Sequence, residues 1–350
     1  ESWCDKMIMS PAYIEITDKC NVNCRICYNG SGTKTIHREM TFETFKKAIN
    51  AFRPYSLKRV LISGGEPSLH SEFDNIIDYI RTNNEMEFGI VTNGTSRNKK
   101  FLDLLSSESS LTLQVSLDGS CEEVNKHIRG AGNFNRVQEF LCMPRSRNVK
   151  ALLKMVVTKY NHYDIEDYYK LALKYNCIPE FAFVFRSGNA ANRWEEMALS
   201  DNEKMNAIKA VNSLNAKYGV EAYIASCTYK CPMLSNEPKM SVCVKPDGSI
   251  QPCQSLYGNE FTLGNINGFD SEIFNAAADN FLNSVKQRLT ADFGCVRCPI
   301  QEHCGRGCPA EAVLMNGSLL ASDSKCDFRL KRFFSDVSAK VKNVDAGVMQ

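Results

Sequence analysis

The sequence predicts an α/β protein that begins with a parallel β-sheet and ends with a cysteine-rich region. Strand-like and helix-like segments alternate from about residue 11 to 225, as expected for parallel strands joined by crossover helices. After residue 226 the alternation stops and cysteines become frequent. The chain has 16 cysteines in 350 residues and no secretory signal, and in such a chain cysteines are more often metal ligands than disulfides.

The composition indicates a folded protein with room for two domains. Hydrophobic residues make up 43% of the 350 residues, which is enough for a sizeable core. The formal net charge of +2 argues against a broad nucleic-acid surface. No apolar run approaches the ~18 residues of a transmembrane helix, and the N-terminus lacks the pattern of a signal peptide. We therefore expect a cytoplasmic protein that binds neither nucleic acid nor membrane.

Six strand–helix units account for the first part of the chain. The predicted strands are 13–17, 58–63, 88–92, 111–116, 151–157 and 181–185. The predicted helices are 42–52, 72–82, 98–106, 134–142, 164–175 and 201–218. In the first helix Thr41 is the expected N-cap, and Phe42, Phe45, Ile49 and Phe52 share one face. Six units are fewer than the eight of a closed barrel, and chemistry is expected at the carboxyl ends of the strands.

A group of three cysteines follows the first predicted strand. Cys20, Cys24 and Cys27 have the spacing C-x3-C-x2-C. Thiolates in a loop can hold an iron–sulfur cluster, and three of them on a four-iron cluster leave one iron open for a cofactor or substrate. The alternative is a helical stripe, because the same spacing places all three on one helix face.

This motif, followed by the aromatic Tyr28, resembles the signature of the radical S-adenosylmethionine (SAM) superfamily. The resemblance implies an open partial (β/α)6 barrel, with Cys20, Cys24 and Cys27 holding a four-iron four-sulfur cluster and Tyr28 beside the cofactor. In that family the open iron takes the amino and carboxylate groups of SAM. An electron from the cluster then cleaves the sulfonium to give a 5'-deoxyadenosyl radical.

The resemblance also assigns cofactor contacts at the ends of later strands. The segment Gly64-Gly65-Glu66-Pro67 matches the motif that binds the amino group of SAM, although paired glycines also occur in ordinary strand–helix turns. Asn93 and Ser116 end the third and fourth strands, where they could bond ribose hydroxyls or the carboxylate. Arg129 could clamp the cofactor carboxylate, the alternative being a solvated surface arginine.

The cysteines near the C-terminus resemble the SPASM extension of one branch of the superfamily. This extension normally carries two auxiliary four-iron clusters, and it begins with a hairpin that here contains Pro246-Asp247-Gly248. By resemblance, one auxiliary cluster takes Cys295, Cys298, Cys304 and Cys326. The other takes Cys253, Cys308 and two cysteines further upstream.

The upstream ligands can be chosen in more than one way. We favour Cys227 and Cys231, which form a compact C-x3-C, and interpret Cys243 as a packing residue of the first hairpin strand. Cys231 precedes Gly248 by slightly more residues than the family pattern expects, so an auxiliary cluster with three protein ligands stays an alternative. The isolated thiols Cys4, Cys121, Cys142 and Cys177 are expected to be packing or incidental residues.

These assignments predict three domains or segments and four cofactors. Residues 1–225 form the radical SAM barrel, 226–330 the SPASM domain, and 331–350 a short amphipathic helix with a frayed end. The cofactors are SAM, one radical SAM cluster and two auxiliary four-iron clusters. An electron donor such as flavodoxin or ferredoxin is an expected partner.

The resemblance predicts a maturase of a ribosomally made peptide that forms a thioether or carbon cross-link. The first alternative is a sulfatase-type maturase that forms formylglycine, whose members usually have Asp after the cysteine of the Gly-x4-Cys motif. Here that position is Gln254, which cannot act as a base. The second alternative is an iron–sulfur electron carrier, which has no need of a cofactor pocket. Cys20 lies so near the start that a leader-binding domain is not expected, so a separate leader-binding protein is a possible partner.

Overall fold

The structure is a computed structural model that describes residues 7–9, 11–107, 110–225, 230–256, 258–291 and 293–347. The chain divides into two compact units. The first contains residues 1–226 and 238–279, and the second contains residues 227–237 and 280–350. Within the described ranges, no helix is long and apolar enough to cross a membrane.

The first unit is built on one large, mostly parallel sheet. The described residues form these strands: β1 (Ile8–Met9), β2 (Ala12–Thr17), β3 (Arg59–Gly64), β4 (Glu87–Thr92), β5 (Leu111–Ser116), β6 (Val149–Val157), β7 (Ile178–Phe183), β8 (Tyr223–Ala225), β9 (Lys239–Met240), β10 (Cys243–Val244), β11 (Ser249–Gln251) and β12 (Gly264–Asn265). The sheet has the order β12-β11-β10-β2-β3-β4-β5-β6-β7-β8, and β2 to β8 are all parallel. The six predicted strands are thus confirmed, and β8 is an addition to them.

Helices pack against the sheet of the first unit, and further helices form most of the second unit. The described α-helices are α1 (Phe42–Phe52), α2 (Phe73–Thr82), α3 (Lys99–Ser106), α4 (Glu122–Arg129), α5 (Asn133–Leu141), α6 (Ile165–Lys174), α7 (Trp194–Met197), α8 (Asp201–Tyr218), α9 (Ser271–Gln287), α10 (Phe293–Val296), α11 (Gln301–Cys304), α12 (Pro309–Asn316) and α13 (Cys326–Gly347). As predicted, the Thr41 side chain caps α1, and Phe45, Ile49 and Phe52 are fully buried. The sequence pattern did not predict α4, which carries Arg129.

The hairpin that follows the parallel strands joins the first unit. β10 and β11 are antiparallel, and Gly248 takes a positive φ of 83° in the turn between them, as the Pro-Asp-Gly sequence predicts. β10 also pairs in parallel with β2, so Cys243 lies opposite Tyr13. Residues 238–279 thus belong to the first unit, whereas the sequence pattern predicted a domain of residues 226–330. A two-residue strand is too short to predict its pairing from periodicity.

Candidate functional site

Four predicted motifs lie at the carboxyl ends of neighbouring parallel strands. The cysteine loop, residues 18–28, follows β2, and the segment Gly64-Gly65-Glu66-Pro67 begins at the last residue of β3. Asn93 follows β4, and Ser116 is the last residue of β5. Because β2 to β5 are adjacent and parallel, all four motifs share one edge of the sheet.

Two hydrogen bonds fasten the glycine segment to the start of the cysteine loop. The Gly65 N–H donates to the Thr17 carbonyl over 2.7 Å, and the Glu66 N–H donates to the Lys19 carbonyl over 2.8 Å. Gly64 has φ of +140°, and a Cβ added there would lie 2.1 Å from the Thr17 carbonyl oxygen. Only glycine permits this close approach of the two backbones.

The three thiols of the cysteine loop are close enough to affect one another. Burial raises the pKa of the Cys20 thiol and raises that of Cys24 to about 12, and the neighbouring cysteine sulfurs add to both shifts. Thiols that ionise poorly alone become ligands when a cationic metal centre stabilises the thiolates. The donor set of Cys20, Cys24 and Cys27 therefore fits an iron–sulfur cluster.

The Glu66 carboxylate is an internal anchor of this edge. It is 1% exposed and accepts from the Thr92 hydroxyl over 2.9 Å, from the Asn93 N–H over 2.7 Å and from the Ser68 hydroxyl over 2.7 Å. Burial raises its pKa, while these donors oppose the shift. Its oxygens are thus occupied within the protein, which suits a positioning role.

Glu66 in turn orients Asn93 towards the cysteine loop. The Asn93 Nδ2 donates to Asn21 Oδ1 over 2.8 Å and lies 3.9 Å from the Cys20 sulfur. The Asn93 Oδ1 accepts from the Thr95 N–H over 3.0 Å. The predicted residue Asn93 is therefore beside the Cys20 thiol, and hydrogen bonds with Glu66, Asn21 and Thr95 hold it there.

Arg129 is buried and is not a solvated surface arginine. Its Nε donates to Asp118 Oδ2 over 2.6 Å, and its Nη1 lies 3.6 Å from the Cys24 sulfur. Asp118 is held by the Val156 N–H over 2.7 Å. Burial alone would lower the pKa of Arg129, but Asp118 and Cys24 more than offset it, so the pKa is raised and the cation persists. Arg129 thus directs a buried positive charge at a predicted cluster ligand, and its contact with a cofactor carboxylate stays a prediction.

A buried polar network surrounds Tyr28, and the sequence pattern did not predict it. Its centre is Glu15, which is 2% exposed in β2. Glu15 accepts from the Tyr28 hydroxyl over 2.9 Å, from Lys245 Nζ over 2.9 Å and from the Cys243 thiol over 3.4 Å. Gln254 Nε2 donates to the Tyr28 oxygen over 2.7 Å. Burial and the Glu15 carboxylate raise the pKa of Tyr28 well above its usual value, so the phenol is protonated.

The loop after β7 supports the cysteine loop from the other side. Asn189 donates from its backbone N–H to the Cys27 carbonyl over 2.9 Å and from Nδ2 to the Cys24 carbonyl over 2.8 Å. A Cβ on Gly188, which has φ of +52°, would lie 2.2 Å from the Cys27 carbonyl oxygen. The sequence signal for this contact was the Ser187-Gly188-Asn189 run after a strand, which alone reads as an ordinary turn.

Four cysteines of the second unit line one cavity. They are Cys295, Cys298, Cys304 and Cys326, the set that the sequence analysis assigned to one auxiliary cluster. Apolar side chains of Leu289, Ile300 and Leu330 complete much of the lining. Four sulfur donors around an apolar cavity fit an iron–sulfur cluster.

The ligands predicted for the other auxiliary cluster are described only in part. Cys231 and Cys308 belong to the second unit, and burial raises the pKa of Cys231 to about 11 with Cys308 adding to the shift. Cys253 belongs to the first unit, and Cys227 lies outside the described residues. Cys243 is fully buried in β10. Where the chain is described, no three His, Cys, Asp or Glu side chains are arranged to hold a single metal ion.

A comparison with protein-family models identifies the domain that carries these strand-end motifs. The model of the Radical SAM superfamily matches residues 14–172, which include the cysteine loop, the glycine segment, Asn93, Ser116 and Arg129. The chain carries a radical SAM domain. The matched residues include the carboxyl ends of β2 to β5.

Curated relatives of this radical SAM enzyme match along most of their length. It is 25% identical over 327 residues to the mycofactocin maturase MftC of Mycobacterium ulcerans. The alignment covers 89% of this chain and 86% of the relative. It is also 25% identical over 321 residues to AlbA, an antilisterial bacteriocin subtilosin biosynthesis protein of Bacillus subtilis, with 87% and 68% covered.

Solved structures share the fold. SuiB of Streptococcus suis bound to SAM gives a TM-score of 0.72 at 16% identity and covers 91% of this chain and 77% of that chain. Native anSMEcpe with bound SAM gives 0.74 at 18% identity and covers 95% and 98%. SuiB is also known bound to its precursor peptide SuiA. At these identities the likeness shows the mostly parallel α/β fold.

Proposed function

We propose that this radical SAM enzyme is a maturase that abstracts a hydrogen atom from a carbon of a ribosomally made peptide and so forms a thioether or carbon cross-link. The observation that carries the proposal is the arrangement of three thiols beside Gly64-Gly65 and Arg129 at one sheet edge. Similarity over most of the chain to the maturase MftC supports a peptide substrate.

In this proposal Cys20, Cys24 and Cys27 hold a four-iron cluster. When bound, the cluster supplies the electron that cleaves SAM to the 5'-deoxyadenosyl radical. Gly64 and Gly65 admit the amino group of SAM close to the backbone, and Glu66 and Pro67 fix that segment. Asn93 and Ser116 provide polar groups for the rest of the cofactor, and Tyr28 lies beside it. Arg129 offsets the negative charge of the thiolates through Cys24.

The second unit is proposed to serve the substrate and its electrons. Cys295, Cys298, Cys304 and Cys326 hold one auxiliary four-iron cluster in a SPASM domain that follows a partial (β/α)6 barrel. Cys227, Cys231 and Cys308 of this unit are proposed ligands of the other, and the resemblance adds Cys253 to that ligand set. When bound, these clusters would supply an electron acceptor for the substrate radical or a ligand site for the peptide. A flavodoxin or ferredoxin in the cytoplasm is the proposed donor, and a separate protein is proposed to bind a leader.

Formylglycine formation is the less favoured reaction for this site. The position of the expected carboxylate base is Gln254, and its amide donates to the Tyr28 hydroxyl instead. An amide has no useful basicity near neutral pH. The electron-carrier alternative does not account for a radical SAM domain.

The test is the formation of 5'-deoxyadenosine by anaerobically reconstituted protein given SAM and dithionite. We expect deoxyadenosine from the wild type and none from the variant with Cys20→Ala, Cys24→Ala and Cys27→Ala. Mass spectrometry of a peptide encoded beside the gene, before and after reaction, identifies the bond that forms. Deoxyadenosine from the triple variant at the wild-type rate would overturn the proposal.

A further inference from the structure

The second unit buries more positive than negative charge around its cysteines. Its buried acids among the described residues are Glu311 and Asp323, and each pairs with a cation, Lys325 and Arg329 respectively. Arg288 is fully buried as well, and it donates to the carbonyls of Leu319 and Arg306. Arg306 is buried too, and Asp323, which already pairs with Arg329, is the acid whose charge acts on Arg288. The described residues of this unit thus bury three arginines and two acids, and burying an excess of cations is costly. A cluster held by four thiolates carries net negative charge and would offset this excess.

Arg329 is a buried cation whose guanidinium reaches two sulfurs of the four-cysteine cavity, and the buried Arg306 also lines this cavity. Arg329 is 1% exposed, its Nε donates to the Cys304 sulfur over 3.0 Å, and its Nη2 lies 3.9 Å from the Cys326 sulfur. Both cysteines line the cavity. One guanidinium therefore reaches two of the four predicted ligands with the donor geometry of a charge-assisted contact.

Asp323 fixes this guanidinium. Arg329 Nη1 lies 2.5 Å and 2.6 Å from the two carboxylate oxygens of Asp323. The Asp323 Oδ2 also accepts from the Cys308 N–H over 3.1 Å. A Cβ on Gly307 would lie 2.0 Å from the Asp323 carboxylate, so the neighbouring backbone leaves this pair just enough room. The Cys308 N–H and the backbone at Gly307 therefore hold the Arg329–Asp323 pair in one geometry.

We propose that the Arg329–Asp323 pair is a positioning device that sets the reduction potential of the auxiliary cluster held by Cys295, Cys298, Cys304 and Cys326. This inference rests on the proposed function, because it requires that cluster. The guanidinium contacts the Cys304 and Cys326 sulfurs through Nε and Nη2, whereas Asp323 binds its Nη1, so Arg329 would stabilise the more negative, reduced cluster. The Asp323 carboxylate partly offsets the positive charge of the guanidinium and so limits this stabilisation of the reduced cluster.

The test is a reduction-potential titration followed by electron paramagnetic resonance. The background is full-length reconstituted protein in which Cys20, Cys24 and Cys27 are Ala, so that only auxiliary clusters give a signal. The signal that disappears when Cys295 and Cys298 are also Ala is assigned to this cluster. Arg329→Met should shift its midpoint to a more negative potential, and Arg329→Lys should shift it less. Asp323→Asn should shift it in the positive direction, and Arg329→Met with Asp323→Asn should give an intermediate value.

The matched control is Arg145→Met. Arg145 donates to the sulfur of Cys177 over 3.7 Å, a cysteine outside the predicted ligand set, so its removal should leave the midpoint unchanged. Opposite shifts from the Arg329 and Asp323 variants at equal iron content support the proposal, since a purely structural role would not reverse sign. Unchanged midpoints, or equal shifts in one direction, overturn it while the proposed function stands. If no signal depends on Cys295 and Cys298, both the cluster assignment and this inference fail.

Discussion

Gln254 Nε2 donates a 2.7 Å hydrogen bond to the hydroxyl oxygen of Tyr28, the residue that follows the last cysteine of the cysteine loop. The same hydroxyl donates to Glu15, so the phenol is held from two sides. The amide therefore acts as a hydrogen-bond donor at a position where sulfatase-type maturases usually have a carboxylate. Residues of the hairpin thus complete the surroundings of the cysteine loop.

A double-mutant cycle tests this relationship. Gln254→Leu removes one partly buried hydrogen bond and should lower the free energy of unfolding by about 0.5–1.5 kcal/mol. Tyr28→Phe removes two, to Gln254 and to Glu15, and should lower it by about 1–3 kcal/mol. The double variant should lose less than the sum, with a coupling of at least about 0.5 kcal/mol. Anaerobic chemical unfolding measures these values. The control is Gln251→Leu, since Gln251 donates to Thr262, and its effect should add to that of Tyr28→Phe.

Lys245→Met tests the buried ion pair at the centre of the network. The Glu15 side chain is 3% exposed, so removal of the Lys245 cation leaves a buried carboxylate without its counter-ion. We expect a loss of about 3–5 kcal/mol in the free energy of unfolding. Arg38→Met is the control in the same region, because the Arg38–Asp247 pair is exposed and is expected to contribute less than about 1 kcal/mol. Equal losses in the two variants would contradict a structural role for Glu15–Lys245.

Iron content separates Cys231 from Cys243. Three four-iron clusters correspond to roughly twelve irons per chain. Cys243 is fully buried and its thiol donates to Glu15, so Cys243→Ala should leave the iron content unchanged. Cys231→Ala should lower it. The reverse pattern would move the ligand assignment to Cys243, and a wild-type value near eight would remove one auxiliary cluster from the account.

Loss of Cys295 and Cys298 should separate SAM cleavage from product formation. The two cysteines line the cavity of the second unit, whereas the cysteine loop belongs to the first unit. A variant with Cys295→Ala and Cys298→Ala should still form 5'-deoxyadenosine with dithionite but should not complete the peptide product. Circular dichroism must first show a native-like fold, because a lost cluster also removes folding free energy. Product at the wild-type ratio to deoxyadenosine would mean that the auxiliary cluster is only structural.

The sequence predicted what depends on local pattern. The strand ends that carry the cysteine loop, Gly64-Gly65 and Asn93 followed from periodicity and turn residues, and the structure has these strands within three residues of the predicted bounds. The partners of Tyr28 could not be predicted in this way. Lys245 is 230 positions from Glu15, and a single charged residue in a strand is normally expected to face solvent.

The buried partners of Arg129 and Arg329 could not be predicted from local pattern either. Arg129 was predicted at the site from a motif, but its pairing with Asp118 depends on the turn between β5 and α4 and on the backbone of Val156. Arg329 gave no signal, because it lies in a helix rich in charged residues whose buried face is set by Cys304 and Asp323. Such contacts form only when distant segments meet in the folded chain.

The most direct test of the central claim is deuterium transfer from the peptide to the cofactor. The peptide encoded beside the gene is produced with deuterium on its carbons and incubated with reconstituted enzyme, SAM and dithionite. If the enzyme abstracts a hydrogen atom from a peptide carbon, mass spectrometry will show deuterium in 5'-deoxyadenosine together with the modified peptide. Modified peptide accompanied by deoxyadenosine without deuterium would contradict the account.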